Sequence, residues 1–169
     1  QGQKLQDYVN EQVANRPAER LKKPFAAVAT QLETGERAIF VRGNVGQAVR
    51  ASSSIPGVFE PVKIGGRNYI DGGVVSPVPV DAARQLGADF VIAVDISSKA
   101  SGKAPTDMLG IVNQSISIMG QRLGEQELAR ADIGIAAIAD FSPSRIAVPR
   151  WLKSAAPMSS TFGRMTMSA

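Results

Sequence analysis

Two aspartates at the ends of apolar runs and a cluster of three serines carry most of the chemistry in this sequence. Asp71 opens an Asp71-Gly72-Gly73 triplet directly after a short apolar stretch. The ends of strands are where α/β sheets place their sites. Glycines following such an acid allow a sharp exit from the strand and a close approach of backbone or ligand. Asp-Gly is also a common turn pair, so local spacing leaves both a turn and a functional acid open. Asp95 ends the run 90–94. It could hold a ribose or a metal, but no glycine-rich phosphate loop precedes it at the required distance. It reads equally as a cap or a hydrogen-bonded strand terminus. Ser52, Ser53 and Ser54 form the serine cluster. A nucleophilic serine on a strained elbow needs Gly-x-Ser-x-Gly, and no serine here has glycine at both minus two and plus two. The cluster reads as helix surface and turn chemistry.

What is missing narrows the chemistry further. The 169 residues contain no cysteine and no histidine, which removes disulfides, thiolate nucleophiles, a Ser-His-Asp triad and His-ligated metal from what this chain can assemble. Carboxylates, hydroxyls and lysines remain. Hydrophobic residues make up 44% and charged residues 20%, the balance of a globular domain of ordinary size. The longest apolar stretches, 90–94 and 133–139, fall far short of the roughly 20 residues that cross a bilayer. Net charge is +4, from 19 basic against 15 acidic residues, and Lys22-Lys23 is the one basic doublet. With one Trp and two Tyr the chain lacks the basic stripe and stacking platforms of a nucleic-acid binder.

The elements that would hold these residues follow from periodicity. Leu5, Val9 and Val13 fall four apart and form the stripe of an amphipathic helix, which Asn15-Arg16-Pro17 ends or kinks. Residues 25–30 read as a buried strand, 33–36 as a turn, and 38–41 as the returning strand. Residues 46–54 read as a short helix of small residues. Segments 60–64 and 68–70 flank Gly65-Gly66-Arg67, a hairpin in which glycine supplies positive φ. Residues 80–86 form a helix stopped by Gly87, followed by strand 89–96, loop 99–105, helix 106–130 and strand 133–138. Such alternation predicts an α/β protein whose sheet is at least partly parallel. Residues 142–169 show no clean period, and no function is placed there.

Several of these segments occur in a characteristic order. Ser54-Ile55-Pro56-Gly57-x-Phe59-x-Pro61-Val62 precedes Asp71-Gly72-Gly73, then Pro77-x-Pro79-Val80, then Gly87-Ala88-Asp89. With ATQLETGE at 29–36, this series resembles the second half of a bacterial patatin-like phospholipase, from about Gly2 to about Phe141. The resemblance implies a three-layer α/β/α sandwich, with residues 1–141 its C-terminal portion and 142–169 a tail. It also implies a lipid acyl hydrolase of phospholipase A or lysophospholipase type that works with a Ser–Asp dyad. The motif match makes Asp71 the dyad acid, with Gly72 and Gly73 its supporting glycines. A dyad needs no histidine.

The family's serine elbow and glycine-rich oxyanion loop have no counterpart here, so the nucleophile is expected upstream of residue 1. This chain alone is expected to be inactive. No cofactor or metal enters the implied chemistry. The implied partners are a phospholipid or lysophospholipid at a membrane surface and the N-terminal half of the same domain. No nucleic acid is among them, while a second copy stays open. A targeting segment would lie outside this chain, and the compartment stays open. The competing reading is a non-catalytic interaction module that keeps the fold without the nucleophile.

Overall fold

A computed structural model describes residues 2–97 and 104–136. Its elements in chain order are α1 (Gln3–Gln12), β1 (Ala27–Gln31), β2 (Arg37–Phe40), α2 (Val45–Ser52), β3 (Val62–Ile64), β4 (Arg67–Asp71), α3 (Val80–Gln85), β5 (Ile92–Asp95), α4 (Met108–Leu128) and β6 (Ile133–Ala136). Short 3-10 turns occupy Ala18–Arg20 and Gly72–Val74. Most of the predicted loop 99–105, the end of the predicted strand 133–138 and the tail 142–169 lie outside the described residues.

The mixed α/β fold follows the expected alternation, and the sheet divides into two kinds of pairing. Four strands run β2-β1-β4-β3, antiparallel throughout, while β5 and β6 pair in parallel. Connection length explains the difference. A few residues join β1 to β2, and the Gly65-Gly66 turn joins β3 to β4, with both glycines at positive φ (57° and 84°). Tight turns of this kind can only make antiparallel neighbours, whereas β5 reaches β6 through all of α4, a crossover that permits parallel pairing.

β1 sits inside its sheet and buries all five of its residues, as its apolar run demands. Around it Ala29, Ala51, Val62 and Tyr69 form one apolar cluster. Tyr69 also meets Phe40 edge-on, with ring centroids 5.0 Å apart. A second cluster joins Val78, Val80, Val91 and Ala93 beneath α4. Arg84 and Asp132 tie the parallel pair to α3 through a 2.6 Å salt bridge. The Val91 N–H, followed by Arg84, holds the Asp132 carboxyl below its ordinary pKa.

The first helix departs from expectation in how it docks. Its Leu5–Val9–Val13 stripe contributes no buried residue. Contact with α2 instead runs through Asn10, whose Oδ1 accepts the Gly46 N–H at 2.9 Å. A Cβ at Gly46 would collide with the Gln6 carbonyl oxygen and lie 2.6 Å from Asn10 Oδ1. Gly46 is therefore the hole into which α1 fits. Alanine would gain about 1 kcal/mol of helix propensity at this position, but overpacking against a backbone carbonyl typically costs about 1–3 kcal/mol. The clash is with backbone, which puts the cost near the top of that range, so we expect Gly46→Ala to lower stability by about 2 kcal/mol in urea denaturation. An unchanged or raised midpoint would show that α1 is not held by this contact.

Candidate active site

β4 delivers Asp71 at the point where the antiparallel sheet ends, opposite Ala29 of β1. Three bonds fix the residue. Its N–H donates to the Ser54 carbonyl at 2.9 Å, and its carbonyl accepts Thr30 Oγ1–H at 2.8 Å. Its own Oδ1 accepts the Gly73 N–H at 2.6 Å, capping the 3-10 turn that follows. Sequence spacing left a turn and a functional acid as alternatives for Asp71-Gly72-Gly73. In the structure the carboxylate both caps the turn and faces a cavity.

Gly72 is required for steric reasons. A Cβ there would run into the Val28 carbonyl oxygen of β1, with the Val28 carbonyl carbon at 2.7 Å. Its φ is not in the left-handed region, so space decides, not backbone strain. Gly73 is less constrained, its nearest neighbour being Asp71 Oδ1.

The cavity has a volume of about 650 Å³, and its walls include Phe25, Val28, Val49, Ile55 and Ile96 around Asp71. Burial raises the Asp71 pKa above its ordinary value, and the Gly73 N–H opposes this more weakly. Desolvation favours the neutral acid, so the proton is held more tightly than in water.

Asp95, Ser52 and Ser53 share this cavity. Asp95, at the end of β5, lines it, and its Oδ1 accepts both the N–H and the hydroxyl of Ser97, at 2.9 and 2.6 Å. The strand-terminus reading of Asp95 thus holds, and the residue also lies in the same space as Asp71. No local motif signals this, because two different sheets supply the two acids. Ser52 and Ser53 also line the cavity. Ser54 is buried, its hydroxyl donating to the Arg50 carbonyl at 2.8 Å, so it serves as a link in the turn and not as helix surface.

Sequence reasoning passed over Glu127, which is 3% exposed. Its two oxygens accept Ser76 Oγ–H at 2.6 Å and Val78 N–H at 2.9 Å, clamping the segment that follows the Asp71 turn. Among the described residues no group of three or more metal-ligating side chains is present. No described helix is long and apolar enough to cross a membrane.

Fold and site together define an α/β protein whose cavity is served by strand-end carboxylates. Residues 1–84 match the family model described as patatin-like phospholipase. An uncharacterized NTE family protein of Mycobacterium tuberculosis is 38% identical over 102 residues, which are 60% of this chain and 28% of that protein. A second one from the same organism is 36% identical over 96 residues, 54% of this chain and 16% of that protein. The mouse patatin-like phospholipase domain-containing protein 7 is 33% identical over 87 residues, 50% of this chain and 6% of that protein. The chain belongs to the patatin-like phospholipase family. It spans less than a third of the length of these curated relatives.

The raised pKa of Asp71 has a consequence for stability that requires no substrate. A carboxyl whose folded pKa exceeds its unfolded value stabilises the fold fully below the unfolded value, about 3.9. That contribution is lost as pH rises through the folded value. Asparagine keeps an oxygen for the Gly73 N–H and never ionises. We therefore expect Asp71→Asn to be at least as stable as the parent at pH 7, with the difference shrinking as pH falls through the raised folded value and levelling off below about 3.9. Urea denaturation at several pH values measures this. A variant less stable at pH 7 than at pH 4, relative to the parent, would mean that the ionised carboxylate is a structural anchor.

Proposed function

We propose that this chain supplies the acid half of a Ser–Asp dyad in a lipid acyl hydrolase, with Asp71 as general base. The observation that carries the reading is a half-buried strand-end carboxylate, its proton affinity raised by burial, opening onto a cavity with apolar walls. Family membership supports lipid hydrolysis at the general level. The nucleophilic serine and the oxyanion donors would come from sequence upstream of residue 1. The substrate would be a phospholipid or lysophospholipid presented at a membrane surface.

The serine hydroxyl attacks the ester carbonyl while Asp71 takes its proton. Collapse of the tetrahedral intermediate expels the lipid alcohol, which recovers that proton from Asp71. Water repeats the cycle on the acyl-enzyme, releasing the fatty acid and restoring the serine. An aspartate with its ordinary pKa of about 3.9 is a weak base at neutral pH, and burial corrects part of this deficit. The bond from Gly73 fixes one carboxylate oxygen and so sets the direction of the other. Apolar walls would suit an acyl chain.

Two experiments on the complete protein test this. A fluorophosphonate should label one serine, upstream of Gln1, and Asp71→Asn should lower ester hydrolysis by about 10⁴, as loss of a triad acid does. Label on Ser52, Ser53 or Ser54, or full activity in Asp71→Asn, would refute the dyad. Absence of any label would favour the interaction-module reading. The pH profile adds an independent check. The base must be ionised to work, so a raised pKa places the acid limb of kcat/KM above about 3.9. Carboxyl ionisation has almost no enthalpy, so that limb should stay nearly fixed between about 10 and 40 °C. A midpoint that falls steeply on warming would identify an imidazole base instead.

A further inference from the structure

Glu127 is a buried acid to which the proposed chemistry gives no task. Both its oxygens are occupied, one by Ser76 Oγ–H and the other by the Val78 N–H. Among the described residues it makes no salt bridge. Burying a carboxylate without a cation is costly, and two hydrogen bonds offset only part of that cost. An apolar residue at this helix position would serve packing alone at lower cost.

The bonds lead from Glu127 to Asp71 in a short chain. Ser76 gives its hydroxyl to Glu127 and its backbone N–H to the Gly72 carbonyl at 2.8 Å. The Gly72 carbonyl belongs to the peptide group whose N–H, that of Gly73, binds Asp71 Oδ1. α4 packs on this segment with Gly120 and Gly124 facing it. A Cβ at Gly124 would lie 3.5 Å from both Pro77 and Val78, and one at Gly120 would lie 3.7 Å from the Gly73 carbonyl.

We propose that Glu127 is a positioning residue for Asp71: through Ser76 and the Gly72–Gly73 peptide it holds the Asp71 carboxylate in its working orientation. The proposal rests on the reading of Asp71 as base. Misplacing a catalytic group by about 1 Å can cost about 10²-fold in rate, so a clamp three hydrogen bonds away is enough to matter.

The test uses the complete protein with Glu127→Ala, Glu127→Gln, Ser76→Ala and Asp71→Asn. Active sites are counted by fluorophosphonate labelling carried to completion, and kcat and KM are measured on a soluble ester. Glutamine can accept from the Val78 N–H and donate to Ser76 Oγ, so it keeps the clamp without the charge. We expect Glu127→Ala to lose about tenfold or more in kcat per labelled site, with KM within about twofold. Ser76→Ala should fall in the same direction, and Glu127→Gln should recover most of the loss. If Glu127→Ala does not fold, Ser76→Ala and Glu127→Gln carry the comparison. A variant that loses only melting temperature or labelled fraction, at unchanged kcat per site, would overturn the positioning role. Glu127→Gln as impaired as Glu127→Ala would overturn it too, by showing that the charge and not the clamp matters. Asp71→Asn separates the two levels of inference. Full activity there means that the base reading itself fails, whereas its loss beside an unaffected Glu127→Ala means that only the clamp fails.

Discussion

The close approach of Gly72 to the Val28 carbonyl is the constraint on which the site depends. Because no side chain fits there, the backbone leaves β4 while still pressed against β1 and turns at once into a 3-10 turn. The same turn brings the Gly73 N–H back onto Asp71 Oδ1. Every other hold on Asp71 involves its backbone: the Ser54 carbonyl on one side and the Thr30 hydroxyl on the other. Thr30 and Ser54 are themselves buried. A carboxylate mounted this way has little freedom to reorient, which is the condition a catalytic group needs.

The same mounting sets up an electrostatic conflict. Burial penalises the charged carboxylate, and the Gly73 bond relieves the penalty only in part, so the pKa rises. For stability this is a cost at neutral pH. For a base it is a gain, because a carboxylate that binds its proton more tightly is better at taking one from a hydroxyl. One physical term therefore acts in opposite directions on folding and on chemistry. Conflicts of this kind are common at functional sites and rare elsewhere in a fold.

What the sequence revealed is largely what short-range chemistry controls. The Gly65-Gly66 hairpin, the stop at Gly87 and the strand end at Asp71 were legible because turn conformation and period-two alternation are local. The pairing of β1 with β4 was not, since nothing in either strand names its partner across the intervening helix. The stripe of Leu5, Val9 and Val13 announced a helix but not its docking face, which a glycine on α2 decides. Asp95 looked like a strand terminus, and it is one; its presence in the Asp71 cavity arises only when the two sheets meet. Glu127 reads as an ordinary glutamate on a long helix. Gly120 and Gly124 face the same segment, and glycines inside a helix signal close packing without naming what packs.

α4 is the element that makes the two sheets one support. It is the crossover from β5, which carries Asp95, to β6. Its later turns also press on the segment that follows Asp71. At about 1.5 Å of rise per residue its 21 residues span about 30 Å, so one rigid rod touches both β5 and the turn that leaves β4. Rotation is the sensitive coordinate of such a rod. Consecutive residues differ by about 100° around the axis, and a one-residue slip would swing Glu127 off Ser76 and bring a side chain where Gly124 meets Pro77. The few residues between α4 and β6 restrict that rotation at one end, and the bonds of Glu127 to Ser76 and Val78 restrict it against the segment that follows Asp71. Pairing of β6 with β5 is thereby linked, through one helix, to the turn that leaves the other sheet.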